Sequence, residues 1–183
     1  DHCTASNGDY VLVKAHHAET VTAQIDVDTA GVTVKGLGYM NARPAVTGNG
    51  TIDVFDMSAA NCRIENIAFP APLTDAATAD INVDAAGCEI INTTHIGSVS
   101  TENKVSFITI TANGDDLLIK GMRGYNSVVD MVSAIELAAA TRVEFDDVRI
   151  ESTRTIGFST GTFDDTGAAQ DLIVNHSMLG NGK

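Results

Sequence analysis

Short runs in which apolar and polar residues alternate recur along the chain, among them Ile25-Asp26-Val27, Val32-Thr33-Val34, Cys62-Arg63-Ile64 and Ile81-Asn82-Val83. Period-two alternation among β-branched residues predicts strands with one buried face. The runs come in pairs, and the pairs repeat: "IDVDTAGVTVKGLG" at 25 to 38 returns as "INVDAAGCEIINTT" at 81 to 94. Aligning first isoleucines gives units starting at Ile25, Ile52, Ile81, Ile108, Ile135 and Ile156, with a period of 21 to 29 residues. A period of that size marks a solenoid or another repeat architecture. Helical repeats need apolar residues three and four apart, a spacing that only the stretch from Val128 to Ala140 tolerates.

Two columns of the alignment predict where the chain bends. Gly31, Asn61, Gly87, Asp116, Arg142 and Asp171 precede the second strand of each unit, and Gly36, Asn66, Asn92, Gly121, Asp147 and His176 follow it. These columns are dominated by residue types that tolerate a left-handed or turn backbone. Strand, bend, strand, bend describes one coil of a parallel β-helix. Stacking coils at the strand spacing of about 4.8 Å aligns Val32, Cys62, Cys88, Leu117, Val143 and Leu172 in one inward column. Val34, Ile64, Ile90, Ile119, Phe145 and Val174 form the next. One coil cannot bury its apolar face alone, but a stack shares a continuous core. The expected fold is an all-β parallel β-helix solenoid of six to seven coils, with "GDYVLV" at 8 to 13 supplying the coil before Ile25.

Composition narrows the function. The chain has 183 residues, is 44% hydrophobic and has no low-complexity linker, so a single domain over 1–183 is expected. A start at Asp1 fits a processed chain or the ordered part of a longer one. A formal charge of −13, from 24 acidic and 11 basic residues, argues against nucleic acid, whose phosphates demand clustered Lys and Arg. No apolar run reaches the 18 to 20 residues of a membrane span, and no signal peptide is visible. Cys62 and Cys88 share an inward column in adjacent coils. They are read first as small core hydrophobes, with a disulfide as the alternative, while Cys3 has no evident partner.

Candidate chemistry lies on the outward positions of the first strand, read as Asp26, Asp53, Asn82, Thr109 and Glu136. Carboxylates on neighbouring coils, about 5 Å apart, match the separation used by retaining glycosidases, so Asp26 and Asp53, supported by Asp84 or Glu136, are the catalytic alternative. The plain reading is a solvated acidic face. No Lys or Arg stands beside that column to act as a lyase base. His16, His17 and Glu19 in "HHAET" do not converge as metal ligands, since neighbouring residues of an extended chain point apart. His176 fills the turn column and His95 follows a second strand, so both have structural explanations. No nucleophile motif, phosphate loop or metal signature is present, and neither a cofactor nor a metal is expected. Ile91, Leu118 and Ile173 project outward beside the inward column and are the interface candidates. Neither end of the stack carries an evident cap for its unpaired strand edges.

The run "CTASNGDYVLVKAHHAETVTA" followed by "IDVDTAGVTVKGLGYMNARPAVT" resembles right-handed, pectin-lyase-like β-helix proteins of tailed bacteriophages. Gly8, Asp9, His17, Glu19, Thr20, Gly31, Gly36, Gly38, Arg43 and Pro44 carry the resemblance, all within the first 50 residues. Such relatives often have Pro-Gly before the histidine, where this chain has Ala15-His16. The resemblance implies a right-handed coil and a virion structural protein without enzymatic activity: a capsid decoration or cement protein, or a head-fibre component, on the capsid exterior. It also implies contacts with the major capsid protein or other virion proteins and a trimeric assembly. Because the same fold hosts polysaccharide hydrolases and lyases, a tail-spike-like enzyme is the rival expectation. A sugar-binding module is disfavoured by 5% aromatic content and no tryptophan.

Overall fold

Each coil of the chain contributes three strands, stacked in parallel on their counterparts in the coils before and after. The computed structural model describes residues 3–72, 77–97, 104–153 and 156–180. The first sheet contains Tyr10–Val13, Thr33–Gly36, Arg63–Glu65, Glu89–Ile91, Leu118–Lys120, Glu144–Asp146 and Ile173–Asn175. The second contains Ala18–Val21, Ala45–Gly48, Ala68–Phe69, Thr94–Ile96, Arg123–Asn126, Arg149–Ser152 and Met178–Leu179. The third contains Ile25–Asp26, Asp53–Met57, Ala79–Val83, Ile108–Ile110, Met131–Leu137 and Phe158–Asp165. The result is an all-β parallel solenoid of about six turns, with no α-helix among the described residues. The stretch that tolerates a helical pattern is the strand Met131–Leu137.

Three inward columns build one core. On the first sheet the register aligns Val11, Val34, Ile64, Ile90, Ile119, Phe145 and Val174. On the third it aligns Ile25, Phe55, Ile81, Ile108, Ile135 and Phe163. The second sheet, absent from the two-strand reading of the sequence, aligns Phe69, His95, Gly124, Ile150 and Leu179. Gly124 stands in that column because a Cβ there would lie 2.7 Å from the Phe107 ring. Cys62 and Cys88 are buried free thiols donating to the carbonyls of Thr29 at 3.2 Å and Ala59 at 3.5 Å. Burial pushes both thiols up, Cys88 to about 11.

The bends follow the predicted columns. Gly31, Asn61, Gly87, Asp116, Arg142 and Asp171 all have φ between 54° and 77°, and Ser6 continues the column into the first coil at 58°. Each amide from Ser6 to Arg142 donates to a carbonyl of the following coil, so the turn is itself a hydrogen-bonded ladder. Gly87 also leaves room for its neighbour, since a Cβ there would meet Asn61 Oδ1 at 2.5 Å. In the second column Asn66, Asn92, Gly121, Asp147 and His176 are left-handed, while Gly36 is not. Gly36 is needed for space: a Cβ would lie 2.1 Å from the Asn66 carbonyl oxygen and 2.6 Å from Pro44.

Candidate functional site

The acidic ladder exists, with a corrected membership. Ile25 pairs with Phe55, not with Ile52, so Asp56 rather than Asp53 stacks on Asp26. The full column reads Asp26, Asp56, Asn82, Thr109, Glu136 and Asp164. The first-isoleucine alignment fails because Ile52 lies in the turn before its strand, with its amide on the Gly50 carbonyl. Ile156 is likewise displaced, and Phe163 takes its place.

Neutral side chains interleave the carboxylates. Asn82 donates to Asp56 at 2.8 Å, and Gln24 donates to Asp26 at 2.8 Å. Asp84 accepts from Thr111 at 2.5 Å and from Asn113 at 2.9 Å, so its carboxylate is engaged in its own loop. Asp53 stands three residues before Asp56 on the same strand, opposite Ala79, with Oδ1 buried and without a hydrogen bond. Burial, and after it the charge of Asp56, hold its carboxyl above the usual range. Asp53 therefore favours its protonated form.

The interface candidates do not gather into a patch. Ile91 lies between Glu65 and Lys120, Leu118 between Glu89 and Glu144, and Ile173 beside Glu144. Ion pairs stand on the same face: Lys35 with Glu65 at 2.8 Å, Arg63 with Glu89, and Lys120 with Asp146 at 2.6 Å. His176 contacts Asp146 at 3.2 Å from its turn position. His17 approaches Glu19 at 3.5 Å, while His16 occupies a left-handed turn. Among the described residues no three His, Cys, Asp or Glu side chains converge on a point.

A cavity of about 440 Å³ opens at the first coil, walled by inward valines such as Val11, Val13 and Val34 together with Phe55. Val11, in the inward column, is 43% exposed, and at the other end Val174 is 49% exposed. Among the described residues both ends of the core thus meet solvent.

One cluster lies outside every sequence-based expectation. Asp80, Thr93, His95 and Lys104 are all at 0% exposure. Asp80 Oδ2 is 2.8 Å from His95 Nδ1, and His95 Nε2 is 2.9 Å from Thr93 Oγ1. Lys104 Nζ is 2.7 Å from Oδ1 and 2.8 Å from Oδ2 of Asp80. Burial drives the His95 and Lys104 pKa values down, against the pull of the Asp80 carboxylate. Hydroxyl, imidazole and carboxylate are in relay order, with all of these side chains buried inside the coil. His95 is inward because it follows Phe69 in the second-sheet column, a column that the two-strand pattern does not reveal.

Comparison with protein-family models, with curated proteins and with solved structures returns no match to this chain.

Proposed function

We propose that this chain is a non-enzymatic structural protein of a tailed-bacteriophage particle, acting as a capsid decoration or cement protein or a head-fibre component. The observation that carries the proposal is the exterior, where side chains of adjacent coils tie to one another along the first and third sheets. The motif resemblance around Gly8 to Pro44 supplies the virion context. The partners in this reading are the major capsid protein or other virion proteins, with a trimer of the chain on the particle exterior. Quantitative mass spectrometry of purified source particles tests it. Copies approaching the capsid lattice number support decoration, a few per particle support a fibre, and absence of the chain from the particles rejects the reading.

A second reading is favoured by Asp53, whose carboxyl, held above the usual range by burial, is what a general acid needs. In that reading the protein hydrolyses a surface polysaccharide, with Asp53 as acid and Asp56 or Asp26 as its partner. The double variant Asp53→Asn/Asp56→Asn should lose all cleavage of host-surface glycan; equal activity in variant and parent removes the enzyme reading.

A further inference from the structure

Lys104 turns its whole side chain into the solenoid, where Nζ contacts both oxygens of Asp80, at 2.7 and 2.8 Å. It also donates to the Phe69 carbonyl at 3.1 Å, which fixes the amine in place. These contacts hold Nζ against the Asp80 carboxyl group, the proximity on which an intramolecular attack depends. Aromatic rings flank the neighbouring imidazole: Phe69 stacks on His95 at 4.9 Å, and Phe107 lies 5.5 Å from it. Burial of Lys104 disfavours its ammonium form and so favours loss of a proton from Nζ. Loss of that proton leaves a nucleophilic amine against the Asp80 carboxyl group.

The rest of the machinery is in contact. His95 Nδ1 lies against Asp80 Oδ2, the oxygen that has to leave, and its Nε2 is held by Thr93. An imidazole in that position can accept a proton released at nitrogen and return it to the departing oxygen.

We propose that Asp80 and Lys104 become joined by an intramolecular isopeptide bond, formed by the folded chain on itself. Nζ attacks Cγ, the Nζ–Cγ bond forms and the Cγ–Oδ2 bond breaks. The ammonium gives up two protons, both of which leave with Oδ2 as water, and the amide nitrogen keeps one hydrogen. Charge and atoms balance without an oxidant, a reductant or any other reactant. The link ties the third-sheet strand Ala79–Val83 to the segment that opens the next coil, closing that coil covalently.

Intact-mass measurement of the full chain, after prolonged incubation at physiological temperature, tests the proposal together with peptide mapping under denaturing conditions. The expected result is a mass one water below that of the sequence, with the Asp80 and Lys104 peptides recovered as one covalently joined species. A mass equal to that of the sequence overturns the proposal. So does a loss of water with the two peptides recovered separately, which marks a succinimide instead. In the Lys104→Met variant the missing water should be restored. In His95→Gln the link should form about a hundredfold more slowly, and an unchanged rate overturns the proton-transfer role of His95.

Discussion

At the scale of single residues, two positions show that the same residue type can serve different ends. Gly87 combines a left-handed φ with space for the Asn61 carboxamide, whereas Gly36 has no left-handed φ and is defined by backbone on one side and Pro44 on the other. A flexible carboxamide can give way, but a carbonyl held in the coil ladder cannot. Gly36→Ala is therefore expected to cost about 3 kcal/mol or more, as overpacking against fixed atoms does. Gly87→Ala should cost less, and urea unfolding of both variants checks the order. Asp53 offers a second case. Its folded-state pKa is raised above its ordinary value of 3.8, chiefly by burial, so the folded chain holds that proton more tightly than the unfolded chain does. Its contribution is most favourable below the unfolded pKa and is lost as pH rises through the folded one. Asp53→Asn should accordingly be the more stable protein at neutral pH, with the advantage fading as pH falls toward 3.8. Thermal melts across that range decide it, and an advantage that grows in acid contradicts the assignment.

At the scale of strands and turns, the sequence was legible where the physics is local. The first turn column could be read because a left-handed backbone restricts residue type at one position, and all six of its predicted residues adopt that φ. The first-sheet inward column was legible because its alternating strands carry large aliphatic residues. The second sheet was not, because several of its strands are short and its inward positions include His95 and Gly124, which no hydrophobic pattern marks. Register on the third sheet was misjudged at Asp53 for a related reason: Ile52 stands in the turn before that strand and not in it, and only pairing with the neighbouring coil fixes the count. The Asp80 cluster depended on both missed features at once. Adjacent residues Ile90 and Ile91 test the face assignment directly, since the first is fully buried and the second lies among surface charges. Ile90→Ala should lose about 2–5 kcal/mol by the cavity that it leaves, while Ile91→Ala should lose less than about 1 kcal/mol. Comparable losses in denaturant midpoints would contradict the inward assignment of Ile90.

At the scale of the whole molecule, stability in a solenoid is a sum over coils and their nearest-neighbour interfaces, so a terminal coil has one partner where an inner coil has two. The exposures follow that rule: Ile64, Ile90 and Ile119 are sealed, but Val11 and Val174, at equivalent positions in the end coils, are not. The backbone follows it too, because Tyr10–Val13 and Ile173–Asn175 each pair with only one neighbouring strand of their sheet. Opening should therefore proceed inward from the ends in steps, not all at once. Native-state hydrogen exchange of the isolated chain should find protection highest in Glu89–Ile91 and Leu118–Lys120 and lowest in Tyr10–Val13 and Ile173–Asn175. Uniform protection across all coils would mean that the stack opens as one cooperative unit, which the nearest-neighbour account excludes. Protection at the end strands that rises with protein concentration would instead show copies docking through those open edges, the behaviour that unpaired parallel strands invite.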